Sequence, residues 1–250
     1  MKRRSFLGTL APLALFAQAT PRLRVLTYNI HHGEGMDGKF DYKRLAQVIN
    51  GVKPDVVALQ EVDRGTQRSA GVDQADRLGQ LTGMHAAYGV ALYYEGGEYG
   101  EAILSRFPMA NRKAHHLPFH AGQEPRTALE VTIRPDNGVP EFLFVGTHWC
   151  HQSNAIRTEQ AEQTNRMYPA EGGPPVILAG DLNARPGSAP MDTLVEGQWV
   201  DAIAPQSRID YILYRRADPW RVVEVTIVDE RVASDHRPVL AVLEWRGGVL

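Results

Sequence analysis

Cysteine is nearly missing from this chain. Cys150 stands alone, so no disulfide can close within it. It follows the apolar end of a predicted strand and reads as a packed, inert thiol, not a nucleophile. Beyond the first 19 residues no stretch is long and apolar enough to span a bilayer. There is no excess of basic charge either: 27 Lys and Arg stand against 29 Asp and Glu, a net of −2. A protein that grips nucleic acid through its phosphates usually carries a basic face, and this balance argues against one without excluding a local groove. No repeat, low-complexity tract or linker interrupts the 250 residues. The length suits one large domain with a substantial core.

The first residues are set apart. Met1-Lys2-Arg3-Arg4 is basic, residues 7–16 are apolar, and Ala17-Gln18-Ala19 is an Ala-x-Ala cleavage pattern. Arg3-Arg4-Ser5-Phe6-Leu7 resembles a bacterial twin-arginine export signal. The expectation is a signal over residues 1–19, a folded domain over 20–250 and a periplasmic or secreted location. An uncleaved anchor is the alternative. Cleavage would remove three basic residues and no acidic one, deepening the net charge from −2 to −5.

Alternation and β-rich composition predict strands at residues 23–30, 56–59, 86–94, 101–105, 127–134, 141–147, 176–179, 208–214, 221–228 and 239–245. Asp41 is placed to cap a helix that ends at Gly51, and a second helix is expected over residues 73–82, closed by Gly83. A polar helix is expected over residues 153–167, and a short one after Pro186-Gly187-Ser188. Strand–helix–strand units near both ends of the chain suggest a duplicated layout. Two mixed sheets packed face to face, with helices outside, would bury strands this apolar on both faces.

The run Val176-Ile177-Leu178-Ala179-Gly180-Asp181-Leu182-Asn183 organises the rest. A buried strand ends at Gly180, and Asp181 and Asn183 leave it two residues apart, the spacing that shares a face in an extended chain. Asn29, Glu61, His148, and Asp235 with His236 also sit at or beyond predicted strand ends. Gathered at one edge, they make an acidic pocket with two histidines. Its oxygen donors suit Mg²⁺ or Mn²⁺, with Ca²⁺ a further option.

These motifs resemble a known family. Thr27-Tyr28-Asn29, Leu59-Gln60-Glu61-Val62, the run from Tyr99 to Arg106, Gly146-Thr147-His148, Gly180-Asp181-Leu182-Asn183, Arg208-Ile209-Asp210-Tyr211-Ile212 and Ser234-Asp235-His236-Arg237-Pro238 occur in the order and spacing of the endonuclease/exonuclease/phosphatase superfamily. The likeness covers residues 23–245 and leans towards small secreted bacterial members. It implies a four-layer α/β sandwich and a divalent-metal phosphodiesterase or phosphomonoesterase. On that resemblance Glu61 is the main metal ligand, assisted by Asn29 and Asp235. Asp181 positions or deprotonates the attacking water and Asn183 fixes it. His236, held by Asp210, and His148 contact the phosphate. Arg126 supports phosphate or braces the edge. Small bacterial members usually carry Asn where this chain has Glu101, and a Glu101–His148 pair that keeps the imidazole charged is the expectation there.

The substrate stays open between nucleic acid and a phospholipid or sugar-phosphate headgroup. The loops are short, with no long basic insertion for a duplex. Arg64, Arg68, His115, His116 and His120 are expected in loops, where they could bind anions but read mainly as solvated side chains. Ala91-Leu92-Tyr93-Tyr94 is the one candidate for the exposed apolar hairpin a sphingomyelinase-like enzyme would want. A non-catalytic phospho-ligand binding module on the same fold is the alternative, although a binder has no need of a water-positioning Asp181.

Overall fold

Alternate residues along each central strand face different neighbours, and this decides the architecture. In β1 (Arg22–Asn29), Leu23 and Val25 join one apolar cluster while Leu26 and Tyr28 join another. β2 (Val56–Arg64) and β8 (Val176–Asp181) divide in the same way. Both faces of these strands are therefore buried. The structure, a computed structural model, describes residues 20–206 and 208–247. The expected export signal lies outside the described residues.

Twelve strands form two six-stranded sheets among the described residues. The first runs β11 (Trp220–Ile227), β12 (Val239–Trp245), β1, β2, β4 (Gly97–Ser105), β3 (His85–Tyr94). The second runs β5 (Met109–His116), β6 (Thr127–Ile133), β7 (Phe142–His148), β8, β10 (Asp210–Arg215), β9 (Trp199–Asp201). Each is built around one parallel pair, β1 with β2 and β7 with β8, flanked by antiparallel partners. The duplicated layout is thus present. One apolar cluster lies between the sheets. A second joins the first sheet to α1 (Tyr42–Gly51) and α2 (Gln74–Thr82), and a third joins the second sheet to α3 (Asn154–Met167) and α4 (Ala189–Gly197). These are the three interfaces of an α/β/β/α sandwich.

The helix starts follow from local chemistry. Asp41, Asp73 and Ser153 each accept a hydrogen bond from the backbone N–H three residues on. Two strands were not anticipated. Much of β5 is an exposed edge of polar residues with no apolar alternation to read, and it takes in Ala114 to His116, expected to lie in a loop. β9 is only three residues long.

Candidate active site

Register assembles the site. His148 pairs with Asp181 across β7 and β8, and Asp181 pairs with Asp210 across β8 and β10. By parity all three point into the space between the sheets. Asn29, at the end of β1, points into the same space from the other sheet. Its Nδ2 donates to Glu61 Oε1 at 2.9 Å and to Asp181 Oδ2 at 3.3 Å, so one carboxamide ties the two sheets together.

Glu61 would face the helices if β2 were regular. A bulge between Leu59 and Val62 and a left-handed φ of 59° at Glu61 redirect it, and it lines the cleft instead. Bulges often re-aim side chains in this way next to functional sites. Gly180, just before Asp181, packs so closely on β7 that a Cβ would run into the Thr147 carbonyl.

Asp181 is 1% exposed. Burial, aided by the charge of Asp210, pushes its carboxyl up to about 7 against the pull of His236. Its Oδ2 lies 3.5 Å from His148 Nε2 and 3.6 Å from His236 Nε2. His236 Nδ1 donates to both carboxylate oxygens of Asp210 at 3.1 Å. Burial alone would lower this imidazole, but the hydrogen bond to Asp210 and the charges of Asp210, Asp181 and Asp235 outweigh it and raise His236 to about 9. It is an imidazolium at neutral pH.

His148 is the opposite case. Burial, with the field of Arg126, holds it well below the usual imidazole range. The expected Glu101–His148 pair does not form. Arg126 Nη1 donates to His148 Nδ1 at 2.8 Å instead. A guanidinium only donates, so His148 Nδ1 accepts, while its Nε2 faces both Asp181 Oδ2 and the Asn183 amide. Glu101 lies wholly buried behind the cleft with neither oxygen bonded. Asn183 Nδ2 donates to the Trp149 carbonyl at 3.0 Å and packs 2.9 Å from His148 Nε2.

The donor set fits a hard divalent cation. Glu61 and Asp181 converge on one carboxamide, and Asp181 carries a buried negative charge that its surroundings disfavour. One oxygen or nitrogen each from Asp181, Asp210 and His236 also falls within 4.8 Å of the others. There His236 already turns its Nδ1 to Asp210 at 3.1 Å. Two expected ligands stand differently. Asn29 turns its Oδ1 to the His31 N–H at 3.0 Å and shows its N–H₂ to the carboxylates. Asp235 is exposed and accepts from Ser234 Oγ at 3.2 Å, outside the cleft lining.

The cleft, about 470 Å³, brings together Glu61, Arg126, His148, Asp181, Asn183 and His236. It also recruits His31, His32, Arg68, Tyr94, Tyr99 and His151, which were not singled out as site residues. His151 follows His148 by three residues and accepts from Arg126 Nη2 at 3.2 Å. His31 and His32 take φ values of 47° and 44°, a backbone strain that sequence does not announce. His115 and His120 pair with Glu130 and Glu159 instead.

Two mixed sheets between helices, with carboxylates and imidazoles gathered at the ends of the central strands, define a class of α/β sandwich with a polar cleft. Residues 26–236 match the model of the Endonuclease/Exonuclease/phosphatase family, and the chain belongs to that family. It is similar to the uncharacterised protein YbhP of Escherichia coli K12, 24% identical over 87% of this chain and 94% of that protein. The endonuclease/exonuclease/phosphatase structure from Beutenbergia cavernae is 27% identical, with a TM-score of 0.75 over 92% of this chain and 72% of that one. A mannosyl-6-phosphatase from Bacteroides thetaiotaomicron shares the fold, with a TM-score of 0.73, 20% identity, and coverage of 89% of this chain and all of that one.

Proposed function

We propose that this protein is an exported, periplasmic or secreted phosphoesterase that uses Mg²⁺ or Mn²⁺ and attacks its ester with water. The observation that carries the reading is the placement of Asp181, held by Asn29 from one sheet and faced by both His148 and His236. A binding module has no use for a buried carboxylate pushed up to about 7; a base that must take a proton near neutrality does. The phosphatase name of one fold neighbour fits the same chemistry.

Glu61 would hold the cation, which when bound would neutralise the ester oxygens and orient them. Asp181 orients water and accepts its proton. Asn183 keeps His148 seated. His148 faces a phosphoryl oxygen as a neutral imidazole, held in place by Arg126. His236 faces the same oxygens as a cation, kept charged by Asp210, and is placed to protonate the leaving oxygen. Such a positioned acid contributes about 10²–10⁴-fold.

The test is turnover of a chromogenic phosphodiester, a phosphomonoester, plasmid DNA, RNA and phospholipid headgroups, with Mg²⁺, Mn²⁺ or EDTA, beside Glu61→Ala and Asp181→Ala. Loss of turnover in EDTA and in both variants is the expected result. Turnover that survives both substitutions would sink the assignment.

A further inference from the structure

The cleft has a second wall that the proposed chemistry leaves unused. Arg68 donates through Nε and Nη2 to the two oxygens of buried Asp63, at 2.8 and 2.7 Å. Its guanidinium lies over the Tyr94 ring at 4.7 Å and the Tyr99 ring at 5.4 Å. The loop that carries it is tied down. Thr66 Oγ1 donates to Asp63 at 2.7 Å, the Arg68 N–H donates to Glu95 at 2.9 Å, and the Gln67 N–H reaches the Glu95 carbonyl at 3.1 Å. Through Tyr99, which hydrogen-bonds Arg126, this wall adjoins the group that donates to His148. An arginine fixed this firmly at a cleft loses little entropy when it binds.

Its surroundings decide what it suits. The charged groups lining the cleft are matched by carboxylates: Arg68 by Asp63, Arg126 by Glu124 and His236 by Asp210. That leaves no basic track for a polyanionic strand, which gains affinity by neutralising successive phosphates. A space of about 470 Å³ is the size of a small-molecule site. Beside it the cleft offers the Arg68 donors, the Glu124 carboxylate as an acceptor and the apolar surfaces of Leu92 and Tyr94. Hydroxyl groups both donate and accept, and a sugar or cyclitol ring presents C–H faces to such surfaces.

We infer that Arg68, braced by Asp63 and Tyr94, forms a subsite for a small polyol and makes this protein selective for polyol phosphate esters. The inference rests on the phosphoesterase reading and names its substrate class. Free sugar phosphates and inositol-lipid headgroups share this chemistry.

The experiment compares kcat/KM for a hexose 6-phosphate, myo-inositol 1-phosphate and phosphatidylinositol in detergent micelles with that for p-nitrophenyl phosphate and a single-stranded oligonucleotide. It uses wild type, Arg68→Ala and Tyr94→Ala. Tyr94→Ala leaves no buried charge unpaired, so it stays informative if Arg68→Ala fails to fold. In wild type a polyol ester is expected to lead, and the free and micellar substrates identify its source. In both variants the ratio of polyol-ester to aryl-ester kcat/KM falls at least about tenfold, the scale of one lost polar contact. An unchanged ratio, or an oligonucleotide as the best substrate, overturns the subsite and leaves the phosphoesterase standing. No turnover of any ester by wild type removes both.

Discussion

Glu101 shows what a single residue costs in this fold. Both carboxylate oxygens are buried without a partner, and burial raises the group well above the usual carboxylate range despite the nearby charge of Arg126. The neutral acid is therefore favoured in the folded state. Below the unfolded value, near about 4.3, there is no penalty. As pH climbs from there through the folded value, the unfolded chain gains by ionising and the fold loses stability. Glu101→Gln is expected to raise Tm at pH 8 and to lose that advantage towards pH 4. Equal Tm gains at both pH values in thermal scans would contradict the sign. Asp210 acts on another group, since it holds His236 charged from 3.1 Å. Asp210→Asn should lower kcat/KM by about 10²-fold. Steady-state kinetics would show it, and circular dichroism would confirm that the fold is intact. The Asp–His pair was legible because Asp210 and His236 sit in recognisable motifs. The Arg126–His148 bond was not, because Arg126 precedes β6 by one residue and nothing in its local sequence says which imidazole it meets.

Among the elements, α1 depends on its cap. Asp41 accepts from the Arg44 N–H at 3.0 Å, and Asp41→Ala should cost about 1 kcal/mol, a fall in Tm of about 2–4 °C for a chain of this size. Gly180→Ala tests β8 more severely. Its added methyl meets the Thr147 carbonyl, so β8 must shift and take Asp181 with it. A loss of about 3 kcal/mol or more is expected in denaturant titrations, with turnover falling further than stability explains. The central strands were readable because burial on both faces leaves near-continuous apolar runs. Edge strand β5 was hidden by its polar, exposed residues. The bulge in β2 was hidden for a different reason: Glu61 reads equally well as the residue after a strand and as one inside it.

For the whole molecule, the proposed cation site at Glu61, which accepts from Asn29 at 2.9 Å, predicts a response to metal. A cation that binds only the folded state at a hundred times its Kd stabilises by about 2.7 kcal/mol. Added Mg²⁺ or Mn²⁺ should raise Tm by several degrees, and EDTA should reverse it. Glu61→Gln should abolish the shift. A shift that persists in that variant, read by calorimetry without any substrate, would place the metal elsewhere.

What the chain determined by itself is local. Alternating apolar residues set the strands, Asp41 and Asp73 start their helices, and the polar residues at strand ends mark where burial stops. The order of those motifs was enough to place the chain in its family. Tertiary structure decided everything that depends on register and on charge in a shared space. The pairing of β7, β8 and β10 puts His148, Asp181 and Asp210 in one row. The packing of two sheets brings Asn29 to Asp181 across 152 positions of sequence. Neighbours then split two similar imidazoles, leaving His236 charged beside a carboxylate and His148 neutral beside a guanidinium. Protonation state follows from what surrounds a group in three dimensions, and the residue type alone does not carry it.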